Sequence, residues 1–250
     1  MIKHITKKLL TSILVGTTLV IPITTFGFGT DTHKVITEIA CNNLSSYIEK
    51  NDRKLIIDNS VWPDYYENDM EILQPYRSHF YNEYEDGKNG QNNKRNAKKQ
   101  MFKHLESARI AHLQHNKRQS MEYLGRALHY FQDICCPVHV WGYEYNLGNL
   151  TFHSSIEKYW DTNINSIIKF QPLSGDKLCL RNFYNYSHEE LFNQAYNKTT
   201  NYVNIFEDIA KFNNTRNMQA TDVIIEDILN DVCRYSFDFI KIFLDQQNNF

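Results

Sequence analysis

Apolar residues along this chain recur at helical spacing. Between Arg118 and Ile134, the residues Leu124, Ala127, Leu128, Phe131 and Ile134 follow the i, i+3, i+4, i+7 recurrence of an amphipathic helix. The same reading predicts helices over His33–Glu49, Asn96–His115, Arg118–Ile134, Ser154–Ile168, His188–Phe206 and Ala220–Gln246. Nothing from Thr30 to Phe250 alternates convincingly as a strand, and no internal repeat is present. The run "EYEDGKNGQNN" reads as a turn-rich loop and "NNKRNAKK" as a solvated helix start. The expectation is one all-α domain, a compact multi-helix body able to enclose a polar site between helices. The last periodic segment runs nearly to Phe250, so no carboxy-terminal β domain is expected within these residues.

The amino terminus departs from this pattern. "MIKHITKK" is basic, and no charged residue then appears from Leu9 through Thr30. A basic start followed by an apolar run is the form of a secretory signal. The uncharged stretch is long enough to span a bilayer as an uncleaved anchor, but its threonines and Pro22 make it a poor one. Cleavage after Gly27 is expected, dividing the chain into a signal over 1–27 and a secreted, extracellular domain over 28–250. No cysteine stands near that cut, which argues against a lipoprotein anchor.

Composition narrows the picture further. Hydrophobic residues make up 42% of the chain and aromatic ones 14%, enough for one substantial globular domain and too much for a disordered one. Loss of Lys3, Lys7 and Lys8 with the signal reduces the 27 basic residues to 24 against 29 acidic, a formal charge of −5. A nonspecific nucleic-acid binder is usually basic, so no nucleic-acid partner is expected. The cysteines, Cys41, Cys135, Cys136, Cys179 and Cys233, are odd in number and cannot form a complete internal disulfide framework. Cys135 and Cys136 are expected as small buried packing residues.

Chemistry enters with the polar residues on the helices. His129 and Asp133 are four apart, as are His153 and Glu157, a spacing that puts each pair on one helix face with Cβ atoms about 5–6 Å apart. Pro137, which lacks the N–H of a helix interior, is expected to end the first helix and leave His139 just past it, free to turn toward a second ion. One His-x-x-x-Asp is commonplace on helices. Two such pairs with His139 between them point to metal. Imidazole with carboxylate suits zinc, with manganese and non-haem iron as rivals, and closely spaced multi-metal sites serve phosphate chemistry.

"RSH" leading into "FYNEYEDGKN", the run "YLGRALHYFQDICCPVHV" and "FHSSIEKYWDT" together resemble the bacterial zinc-dependent phospholipase C family, which includes the clostridial alpha-toxins. The resemblance extends in order from about Gly29 to Asn165 and brings in His33 of "GTDTHKVI", Asp64 of "WPDYYEN" and His79 of "SHFY". It implies three zinc ions. Asp64, His79, His129 and Asp133 would hold one, and His139, His153 and Glu157 another. His33 and a bridging Asp133 would hold the third, which the family completes with the α-amine and carbonyl of a terminal tryptophan. Here the tryptophans are Trp62, Trp141 and Trp160, all downstream, so Phe28 is expected to supply those atoms. The resemblance further implies that Asp64 orients or deprotonates the attacking water, and that Tyr65 and Tyr76 line a choline headgroup pocket. The expected partner is phospholipid, met in transient contact with a membrane surface, with no obligate protein partner.

Two other readings use the same residues. Fungal and plant single-strand nucleases share a trizinc helical fold, and "FGTDTH" echoes their short spacing from terminus to first histidine. Against that reading, Glu157 stands where those nucleases carry aspartate, and the mature charge is negative. A metal-binding or membrane-adhesion protein without turnover is the non-enzymatic alternative.

Overall fold

The computed structural model describes residues 28–67, 77–83, 95–142, 150–168, 186–212 and 222–247. The proposed signal, Tyr76, Cys179 and most of the "EYEDGKNGQNN" loop lie outside the described residues. Among the described residues the chain is all-α, with no strand. Its helices are α1 (Thr30–Asn43), α2 (Lys50–Asn59), α3 (Trp62–Tyr66), α4 (Ala97–Leu113), α5 (Lys117–Asp133), α6 (Pro137–Val140), α7 (Leu150–Ile167), α8 (His188–Phe212) and α9 (Asp222–Gln247), with a 3-10 turn at Arg77–His79 between α3 and α4.

The long helices fall close to their sequence patterns, and the differences have local causes. The predicted His33–Glu49 helix ends at Asn43, where the chain turns so that Leu44 and Ile48 can both be buried. Pro137 does not end the preceding helix: α5 stops at Asp133, and Pro137 opens the short helix α6, near a start where its missing N–H costs nothing. His139 therefore sits within a helix of its own rather than in a trailing loop. α7 begins at Leu150, before the predicted Ser154, and so carries both His153 and Glu157.

α5 is the centre of the packing, against α4, α2 and α9. Asn116 starts it, its side chain accepting the Gln119 N–H, as Asn96 does for α4 by accepting the Lys99 N–H. His115, at φ 58°, turns the chain between the two. From Leu124 to Asp133 only Arg126 escapes full burial. Gly125 allows α2 to come close, since a Cβ there would lie 2.5 Å from the Ile56 carbonyl oxygen. Phe131 stacks on Phe239 of α9 at 4.8 Å, and burying rings of that size stabilises by about 1.5–3 kcal/mol each. Cys41, Cys135, Cys136 and Cys233 are free and buried, as packing residues are, and burial pushes the thiols of Cys41 and Cys233 up to about 12. No helix among the described residues is long and apolar enough to cross a membrane.

Candidate metal centre

Eight side chains from six elements meet in the interior. α1 brings His33, α3 Asp64, the 3-10 turn His79, α5 His129 and Asp133, α6 His139, and α7 His153 and Glu157, all of them buried. They fall into three groups able to hold a metal, the first two sharing His129: His33, Asp64 and His129; His79, His129 and Asp133; and His139, His153 and Glu157.

Asp133 is the hub. Its Oδ2 lies 2.9 Å from His79 Nδ1 and 3.3 Å from His129 Nε2, and its Oδ1 lies 3.3 Å from His33 Nε2. Asp64 Oδ1 stands 3.5 Å from His129 Nε2 and 4.0 Å from His79 Nδ1. In the other group, Glu157 Oε1 lies 2.5 Å from His153 Nε2 and 3.4 Å from His139 Nε2. Zinc bonds of about 2.0–2.2 Å at tetrahedral angles separate neighbouring ligand atoms by about 3.3–3.6 Å. The His33–Asp133, His129–Asp133, His129–Asp64 and His139–Glu157 separations all fall in that range.

Hydrogen bonds behind the cluster fix which nitrogen faces it. His33 Nδ1–H donates to Gln132 Oε1 at 2.7 Å, His129 Nδ1–H to the Ser60 carbonyl at 2.8 Å, and His139 Nδ1–H to the His79 carbonyl at 2.7 Å. Each proton is thereby placed on Nδ1, and each Nε2 presents a lone pair to a carboxylate oxygen, which is also an acceptor. Two acceptors facing one another at 3.3 Å suit a cation between them, not a hydrogen bond. In keeping with this, His33 Nε2, Asp64 Oδ2 and Asp133 Oδ1 are buried atoms with no hydrogen-bond partner.

Charge leads to the same conclusion. Burial drives His129 and His139 below the usual histidine value and His153 down to about 3, so all three stay neutral, the form that binds metal. Burial would lower His33 too, but Asp133 beside it raises it. Burial would raise Asp133, yet His129, His79 and His33 hold it well below the carboxylate range. Asp64 is pushed by burial up to about 7, against the pull of His33 and His79. A cation among the same donors favours its charged form. Buried carboxylates whose neighbours His129, His139 and His153 stay neutral gain from positive charge supplied from elsewhere.

All eight side chains named from the sequence as ligands are brought together. Phe28 is fully buried, its ring edge-on to His33 at 5.8 Å and against Trp160 at 5.2 Å. Tyr65 is 56% exposed, 6.2 Å from the Tyr66 ring. Gln132 was missed, although a polar residue four after Leu128 on an apolar stripe is a usable signal. Its amide accepts from His33 and donates to Thr37 Oγ1 at 3.0 Å and Ser236 Oγ at 3.1 Å. Asp161 and Glu67 were also missed. Glu67 accepts hydrogen bonds from His104 Nε2 at 2.7 Å and the Tyr130 hydroxyl at 2.8 Å, which outweigh its burial and hold it down at about 2. It thereby ties the end of α3, three residues beyond Asp64, to α4 and α5.

A helical body closing over imidazoles and carboxylates at metal-bridging distances defines a class, the all-helical proteins with a buried site able to hold metal. Within it, the chain belongs to the zinc dependent phospholipase C family, whose family model matches residues 32–215. In fold it is similar to the alpha-toxin of an avian strain of Clostridium perfringens, with a TM-score of 0.60 and 18% identity over 90% of this chain and 65% of the toxin. It is likewise similar to the alpha toxin of Clostridium absonum, with a TM-score of 0.64 and 18% identity over 89% of this chain and 64% of that one. The chain thus spans about two-thirds of the length of these toxins. No curated protein matches it in sequence.

Proposed function

We propose that the protein is a secreted phospholipase C that hydrolyses the glycerol-side phosphodiester of phosphatidylcholine-like lipids to diacylglycerol and a phosphorylated headgroup. The observation that carries this is the convergence of oriented Nε2 lone pairs on Asp133 and Glu157, in a chain of the zinc-dependent family. In this reading Asp64, His79, His129 and Asp133 hold one zinc ion, and His139, His153 and Glu157 a second. His33, Asp133 and the terminal amine and carbonyl of Phe28 hold a third, residues 1–27 having been removed as a signal. Zinc, when bound, supplies positive charge to phosphate oxygens and makes water more acidic.

The protein's own groups do the rest. In this reading Asp64, whose Oδ2 is buried and without a hydrogen-bond partner, would hold an attacking water and accept its proton. Phe80, stacked on His139 at 4.8 Å, and Tyr130, 5.3 Å from His79 and 5.1 Å from His129, keep bulk water from the donors. In this reading the exposed Tyr65 ring, next to Asp64 in sequence, offers a face to a quaternary ammonium; Tyr76, named with it from the sequence, lies outside the described residues.

The test pairs two substrates. Dispersed phosphatidylcholine should yield phosphocholine, a chelator should abolish the release, and added zinc should restore it. Cleavage of single-stranded DNA without lipid turnover would overturn this reading in favour of a nuclease. Zinc binding with neither activity would make the protein a metal-binding or adhesion protein instead.

A further inference from the structure

Beyond His153 and Glu157, the same helix α7 presents Asp161, one turn past Glu157 and two past His153. Asp161 Oδ1 accepts two hydrogen bonds from Thr32, from the backbone N–H at 3.0 Å and from the hydroxyl at 2.7 Å. The start of α1 has no side-chain cap of its own, because Gly29 occupies the cap position. Asp161 fills that role from 129 residues away, placing an acceptor where the first N–H groups of a helix lack partners and its positive end favours an anion.

The contact is close as well as polar. A Cβ on Gly29 would lie 1.8 Å from Asp161 Oδ2, so a side chain there would push the Asp161 carboxylate out of its place. Trp160, the neighbour of Asp161, packs against the Phe28 ring at 5.2 Å. α7 therefore grips the start of the domain at three successive points: Phe28 through Trp160, Gly29 through direct approach, and Thr32 through hydrogen bonds. The next residue is His33, whose Nε2 faces Asp133 at 3.3 Å.

We propose that Asp161 is a positioning residue that sets His33, and the terminal segment ahead of it, at the correct distance from Asp133. The proposal rests on the reading of His33 and Asp133 as ligands of a third ion. Through α7, one helix would hold the second ion directly and place the donors of the third from behind. A residue behind the ligands usually changes metal affinity by about 10–100-fold when removed.

The experiment expresses the full chain, purifies the protein as the host releases it, and follows zinc retention against a competing chromophoric chelator. It compares the parent with Asp161→Ala, Asp161→Asn and Thr32→Val, recording the thermal midpoint of each. Asp161→Ala should weaken one ion, and only one, by at least tenfold. Thr32→Val, which keeps the shape and removes one donor, should weaken the same ion less. Asp161→Asn retains an acceptor oxygen and should recover most of the affinity. If Asp161→Ala fails to fold, the Thr32→Val and Asp161→Asn pair decides the matter on the same readout. A lower thermal midpoint with all zinc affinities unchanged would mean a plain helix cap and overturn the proposal. A parent holding only two ions would overturn the third-site reading itself, and this proposal with it.

Discussion

Between α8 and α9, His188 is 1% exposed, as buried as the histidines of the metal centre, and burial likewise lowers it, to about 3. Its Nε2–H donates to the Phe239 carbonyl at 3.1 Å, its ring stands edge-on to Phe239 at 4.6 Å, and its Nδ1 has no hydrogen-bond partner. The charge acting on it is that of Arg109, a cation. His33, His129 and His139 are as deeply buried and as firmly anchored, but the nitrogen left over in each faces a carboxylate. Burial and one anchoring hydrogen bond thus make a packed histidine. A carboxylate opposite the second nitrogen is what makes it a candidate metal ligand.

The largest effect that should sharpen this contrast comes from the hub. Asp133→Ala removes a carboxylate facing three imidazoles, and it should release more than one ion and reduce lipid hydrolysis roughly 10³-fold or more, since loss of a single transition-state charge partner costs about 10²–10³. Elemental zinc analysis with phosphocholine release measures both, and an unchanged ion count would break the bridging assignment. Glu157→Ala should release one ion and leave the helical circular dichroism intact, because His139 and His153 lose their carboxylate while the apolar faces of α7 remain. Gln132→Met should keep every ligand yet weaken zinc by about 10–100-fold, as loss of a ligand's hydrogen-bonding support does elsewhere. Chelator competition reads that shift, and parent-like affinity would show that the Nδ1 anchor of His33 is dispensable.

The smallest effect belongs to His188. Its folded value of about 3 lies below the ordinary 6.5, so above pH 6.5 it is neutral whether folded or unfolded. Below that, the unfolded chain takes up a proton that the folded one refuses, and stability is lost as pH falls from 6.5 toward about 3, by about 1.4 kcal/mol per pH unit. Urea unfolding of His188→Leu and the parent at pH 7, 6, 5 and 4 should show a shallower decline in the variant. Both proteins share whatever the metal centre loses in acid, so equal slopes would refute the assignment.

His33, Asp64 and His79 came forward only through the family resemblance, whereas the two pairs were legible because helical spacing is physical information: four residues on α5, or four on α7, can only bring His129 to Asp133 and His153 to Glu157. The long helices were legible for the same reason. The short ones were not. α3 and α6 span little more than one turn, too short for an apolar recurrence to show, and α2 buries only Asp52 and Ile56, too little for an apolar stripe. The anchors of His129 and His139 are backbone carbonyls of Ser60 and His79, 69 and 60 residues away, and every residue has a carbonyl. Asp161, one turn beyond Glu157, reads as a solvated helix position until α1 is laid against it.

The most direct measurement is the zinc bound per chain of purified protein, taken with the thermal midpoint before and after chelation. A ligand that binds only the folded state raises stability with its occupancy. The expected result is more than one tightly held zinc ion per chain and a midpoint that falls when the metal is stripped and recovers when it is returned. A protein that purifies without metal, takes up none, and melts at the same temperature with and without added zinc would contradict the assignment of the Asp133 and Glu157 clusters as a metal centre.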